Sequence, residues 1–245
     1  MPLEPEPGGP ELEEGASLAL LRLLHLADSA LPIGALAHSF GLETLVDAEL
    51  LTVPGLPEFL RGYLEEAGMV DAVFCREAFR LAGCDGTAFR VEHWLEINDR
   101  LGALRPARES RAGSAALGQN FIAAVLAVAD CSPLRQAAEA ARRARTLVYH
   151  SPAFGLAAGM LGINEECAVL AFLHQAAASL VSACQRLLPI GQTEATRILW
   201  TLKPAMSATA TRSRECGIDK VCSFMPLLEW GTMEHPALLT RLFIS

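Results

Sequence analysis

Apolar positions recur every three to four residues along most of the chain, the period of one helix face. Residues 18–26 (LALLRLLHL) are almost wholly apolar, with Ser17 placed as an N-cap, His25 inside the apolar run, and Pro32 beginning a turn. A second helix is predicted after that turn, carrying Phe40, Leu42, Leu45 and Val46. Pro57 opens a longer segment in which Leu60, Tyr63, Leu64, Val70, Phe74, Ala78 and Leu81 share a face, with a bend at Gly68. Thr87 is placed to cap a helix through Trp94 to Leu101, and further helices are expected over 107–129 and from Pro133 to about Val148.

A short Gly-punctuated helix follows Pro152. The clearest amphipathic stripe then runs through Val169, Phe172, Leu173, Ala176, Leu180, Ala183, Cys184 and Leu187. GQTEATRILWTL reads as another helix, and Pro204 opens one more that ends near Cys216 and Gly217. No segment alternates with period two long enough to predict a strand, and no fixed-period repeat suggests a solenoid. The expected fold is therefore all-α, a single domain of about ten helices over 17–245 behind a disordered acidic leader at 1–16, where five Glu and four Pro stand without a basic residue.

Composition strengthens the helical reading: 40 Ala and 39 Leu stand against 30 Val, Ile and Thr together. Basic side chains are 18 Arg and only two Lys, and the net charge of −8 repels phosphate backbones, so no nucleic-acid partner is expected. The leader lacks the basic and apolar regions of a signal peptide, and His174, Gln175 and Ser179 interrupt the longest apolar stretch, so no membrane span is read. Seven scattered Cys without a C-x-x-C pair read as mostly buried thiols of a cytoplasmic protein.

Catalytic signatures are missing from the sequence: it has no P-loop, G-x-S-x-G elbow, H-E-x-x-H or G-x-G-x-x-G. The six His are isolated from one another, and Cys216, Cys222 and Met225 match no metal spacing, so neither catalysis nor a resident metal is expected. A metal-dependent hydrolase assembled from distant residues such as His38, His93 and His174 is the competing reading.

The segment LADSALPIGALAHSFGLET (26–44) is specific: Pro32 and Gly34 force a tight turn, and His38, Ser39 and Glu43 place polar groups directly after it. Here the chain resembles the urease accessory protein F (UreF) family through Ser29, Leu31, Pro32, Gly34, His38, Ser39, Gly41, Leu42 and Glu43, with Ala35 where the family has a second Gly. RESRAGSAALGQ (108–119), HSPAFG (150–155), LLPIGQTEATRIL (187–199) and the ending EHPALLTRLFIS resemble further family segments in the same order. The ending departs from the family pattern at Pro236, Leu239, Thr240 and Ile244, which makes it more apolar.

The resemblance implies an all-helical, non-enzymatic chaperone of urease maturation. It would bind the UreD/UreH accessory protein, present a surface to the GTPase UreG, form a homodimer within that assembly, and serve nickel delivery to apo-urease. No tightly bound cofactor of its own is implied, since nickel is handled by the assembly. An alternative is the same scaffold serving another GTPase or metallocentre. The partner-binding residues it suggests are Pro32, Gly34, His38, Gly41 and Glu43 in the first segment, Arg108 and Glu109, Gln192 and Thr193, and His235 with Arg241, Leu242 and Phe243 in the ending. A short apolar tail carrying Arg is poor core material and good interface material, so the tail is expected to become ordered on its partner.

Overall fold

A computed structural model describes residues 14–83 and 89–244. The described residues form twelve α-helices and two short 3-10 turns, with no strand, so the fold is all-α as expected. The expected leader falls mostly outside the described residues. Its last part, from Glu14, already belongs to α1 (Glu14–Leu26), so Ser17 lies inside a helix and does not cap one. A 3-10 turn (Ala35–Ala37) leads to the short α2 (Leu42–Asp47), and Phe40 stands before that helix with φ +50°.

The long segment from Pro57 is two helices, α3 (Leu56–Glu65) and α4 (Ala67–Arg80), broken at Glu66 two residues before the expected bend. Next come α5 (Val91–Ala103), α6 (Arg108–Val128), α7 (Ser132–Ala144) and α8 (His150–Met160). Thr87 lies outside the described residues, and the residue at the N-cap of α5 is Arg90. The amphipathic stripe is on α9 (Glu165–Leu187), capped by Asn164, whose side chain accepts from the backbone of Glu166 and Cys167. α10 (Gln192–Thr201), α11 (Lys203–Arg212), α12 (Pro226–Glu234) and a 3-10 turn (His235–Ala237) complete the chain.

The centre of the fold is α4 against α8. Both are buried almost all round, as helices without a polar face must be. Their close approach explains the glycines of HSPAFG and the residues after it: a Cβ on Gly155 would lie 1.9 Å from the Cys75 carbonyl oxygen, and one on Gly159 2.7 Å from that of Phe79. α9 crosses this pair. By length and hydropathy it could cross a membrane, but 56% of that stretch is buried inside the fold.

Buried polar residues tie the layers together. Arg76 on α4 donates to Glu165 (2.9 Å) and Glu166 (2.9 Å) on α9 and to the Ala210 carbonyl (3.0 Å) on α11. Asn98 links α5 to the start of α8 by accepting from the Tyr149 N–H (2.9 Å). In contrast, α1 buries only Leu23 and Leu26; His25 is exposed, as are Leu18, Leu20, Leu21 and Leu24. The reading of His25 as a core histidine, which its almost wholly apolar helix suggests, therefore fails: among the described residues, nothing covers the outer face of α1.

Candidate functional site

The first specific segment turns because its backbone enters the left-handed region at Gly34 (φ +85°) and Gly41 (φ +91°), where a Cβ is disfavoured. Gly41 is doubly constrained. A Cβ there would lie 2.7 Å from the Thr232 backbone nitrogen, and one on Gly231 would lie 2.8 Å from the Gly41 carbonyl oxygen. The two glycines let α12 press against α2. Sequence reading missed α12, whose short apolar run lacks a capping side chain, yet this helix organises the site.

At the end of α12, His235 is fully buried between two carboxylates. Its Nε2 lies 2.9 Å from Glu43 on α2 and its Nδ1 3.1 Å from Glu109 on α6. For both contacts to be hydrogen bonds, either the ring carries two protons or one carboxyl group carries one, because an ionised carboxylate can only accept. Glu43 also receives the backbone N–H groups of Leu242 and Phe243 (3.2 Å for the latter), and the Ile244 N–H donates to the Ala37 carbonyl (2.8 Å). These bonds close a latch that seats the tail on the first segment.

Phe243 is consequently buried, not offered to solvent, with the Arg186 guanidinium 4.2 Å above its ring centroid. Arg186 Nη1 also donates to the Leu36 carbonyl (2.8 Å). The side chains that do face solvent are Leu36, Leu242 and Ile244. They rim an open cleft of about 610 Å³, floored by Ser29 to Leu31, Pro32, Gly34, Ala35 and Ala37, with Arg186 at its edge.

The structure thus joins Glu43, Glu109, His235, Leu242 and Phe243 by direct bonds or shared burial, and places Pro32 and Gly34 in the adjoining cleft. His38 is buried and stacked on Phe40 at 5.6 Å, and burial lowers its pKa. Arg108 and Arg241 are exposed. Gln192 and Thr193 lie apart, exposed at the start of α10, where the N-cap is Gly191 and neither side chain caps; Gln192 accepts from Gln185 on α9, the neighbour of Arg186. Arg186 and Leu36 were not anticipated: one is a lone cation on an amphipathic helix and the other an ordinary Leu in a turn, and only the returning tail gives them a role.

α12 also borders a second polar region. Leu228, Glu229 and Thr232 line a partly open cavity with Asp71, Arg105 and His150, and Arg105 Nη2 and the Ser151 hydroxyl both donate to Asp71 Oδ1 at 2.6 Å. Burial lowers the His150 pKa to about 4 and, together with Asp71, keeps the Tyr63 hydroxyl protonated well above its usual range.

The histidines of the competing hydrolase reading do not converge. His93 lies between Glu77 (2.9 Å) and Glu96 (3.2 Å), while His174 is exposed near Lys203. Among the described residues, no three His, Cys, Asp or Glu side chains come close enough together to hold a metal ion. Cys222 is exposed and Cys216 half-buried.

Residues 52–203 match the UreF family model. The chain is 34% identical over 232 residues to the urease accessory protein UreF of Rhodopseudomonas palustris (strain BisB5), covering 94% of this chain and 92% of the relative. The chain belongs to the UreF family. It is also 32% identical to the UreF protein of Bradyrhizobium sp. (strain ORS 278), covering 96% of both chains, and 31% identical to that of Corynebacterium glutamicum (strain R), covering 91% of this chain and 96% of the relative. The family match ends at residue 203, before α12 and the tail, whereas the similarity to the Rhodopseudomonas and Bradyrhizobium relatives covers 94% and 96% of the chain. In this UreF-family chain, the latch joins residues on both sides of that boundary.

Proposed function

We propose that this chain is a urease maturation scaffold without catalytic activity of its own, which binds UreD/UreH through the surface made by its first segment and tail. In this reading it presents a second surface to the GTPase UreG, and the assembly delivers nickel, as cargo, to apo-urease. The observation that carries the reading is the pairing of a UreF-family sequence with an apolar rim of Leu36, Leu242 and Ile244 held in place by buried hydrogen bonds. A preorganised apolar rim with an Arg at its edge has the anatomy of a protein interface, because ordering costs are met before the partner arrives. Leu18, Leu21 and Leu24 supply a separate exposed stripe on α1, which fits a second copy of the chain within the same assembly.

The test changes only exposed atoms. L242D/I244D is expected to abolish copurification with UreD/UreH and to lose nickel-dependent urease activity in cells lacking their own F component. The melting temperature should stay within a few degrees, since neither side chain is buried. Full activity and retained copurification would remove the tail from the interface.

A further inference from the structure

The partly open cavity bordered by α4, α6, α8, α9 and α12 measures about 90 Å³. Its lining combines apolar residues, Val70, Leu117, Phe172 and Leu180, with the polar Asp71, Arg105, His150 and Gln175. Three buried side-chain atoms of these lining residues have no hydrogen-bond partner: Arg105 Nε, His150 Nε2 and Gln175 Oε1. The remaining such atom among the described residues, Thr44 Oγ1, lies elsewhere on α2. Buried polar atoms are rarely left unpaired, and three around one space point to something that fills it.

The three define a complement. Gln175 is 5% exposed, and its Nε2 donates to the Leu26 carbonyl (3.4 Å), an oxygen that can only accept. That contact fixes the amide orientation and leaves the carbonyl oxygen as the free acceptor. Arg105 Nε is a free donor. His150 is neutral at pH 7, so Nε2 accepts when the ring proton is on Nδ1. Charge narrows the occupant further. Asp71 and Glu229 oppose an anion, Arg105 opposes a cation, and no metal-ligating trio is present among the described residues.

We propose that this cavity is a binding site for a small uncharged solute of the primary-amide class. Its carbonyl oxygen would accept from Arg105 Nε, its N–H groups would donate to Gln175 Oε1 and His150 Nε2, and its apolar end would rest on Phe172 and Val70. That space is more than a single water needs and suits a solute of a few non-hydrogen atoms. The site stands apart from the scaffold reading in its polar residues: Asp71, Arg105, His150 and Gln175 do not line the tail cleft, although Ala35 borders both spaces.

Acetamide is the probe, titrated into the full isotope-labelled chain while the Gln175 side-chain amide and the protein's melting temperature are followed. The expected result is a saturable shift in the millimolar range, the weak affinity that so few atoms supply, with a rise in melting temperature. Gln175→Leu, which removes the free acceptor, should weaken binding at least tenfold. Ala176→Leu, which fills the space from α9, should abolish it. A linear, unsaturable response of the unaltered chain overturns the proposal. So does equal binding of tert-butanol, retention of the response by either folded variant, or a crystal grown in acetamide that holds only ordered water in the cavity.

Discussion

The latch and the cavity are both buried, both contain a histidine and carboxylates, and both touch α12, yet their hydrogen bonding differs. In the latch, Glu43 Oε1 accepts from the Leu242 N–H, Glu43 Oε2 faces His235 and the Phe243 N–H, and the other ring nitrogen of His235 meets Glu109. In the cavity, three polar atoms have no partner. A saturated network selects one arrangement of its parts, because any other leaves buried groups unpaired. An unsaturated one leaves room for an occupant. In the proposed readings the latch therefore holds the partner surface in shape, and the cavity takes a ligand.

The largest expected effect breaks the latch. Glu43→Ala leaves His235 Nε2 and two backbone N–H groups facing nothing, and removing one partner of a buried pair costs about 3–5 kcal/mol. Denaturant unfolding should show that loss, and hydrogen exchange should show the Leu242 and Phe243 amides losing their protection. Unchanged protection at those two amides would mean that the tail is held by Phe243 packing alone, and the contrast with the cavity would collapse.

How far the sequence carries depends on the range of the forces involved. Helix boundaries set by local chemistry were legible: Pro57 lies in the first turn of α3, and the stripe from Val169 to Cys184 faces the core. The residues of the latch were also legible, as members of family-like segments, but not their joining. Glu43 and Phe243 are 200 positions apart, and no periodicity links them. Phe243 illustrates the gap. An apolar residue at a chain end reads as interface, and only the fold reveals a pocket for it under Arg186. α1 shows the converse, since its leucines demand burial by composition and the fold leaves most of them exposed.

The next prediction sharpens the cavity side. His150 has a folded-state pKa of about 4, below its ordinary 6.5, because burial disfavours the charged ring. The stabilising effect of keeping it neutral is complete above pH 6.5 and is lost as the pH falls toward 4. At ~1.4 kcal/mol per unit this amounts to at most about 3–4 kcal/mol across the window. His150→Gln should flatten the dependence of unfolding free energy on pH between those limits. An unchanged slope would show that the ring is reached by water in the folded state.

The smallest effect probes where the latch meets the interface. Arg186 contributes a cation over the Phe243 ring and a hydrogen bond to the Leu36 carbonyl, each worth about 1 kcal/mol at a partly exposed site. Arg186→Ala should therefore lower stability by about 1–2 kcal/mol, well below the loss from Glu43→Ala, while loosening the rim that Leu36 and Leu242 form. Arg186→Lys separates the two contributions, since an ammonium can stay over the ring but cannot reproduce the planar fork of the guanidinium. Partner affinity falling more than stability in both variants would mean that Arg186 acts at the interface itself. If both fall in proportion, Arg186 serves the partner only by holding the tail in place, as the buried carboxylate of Glu43 does from below.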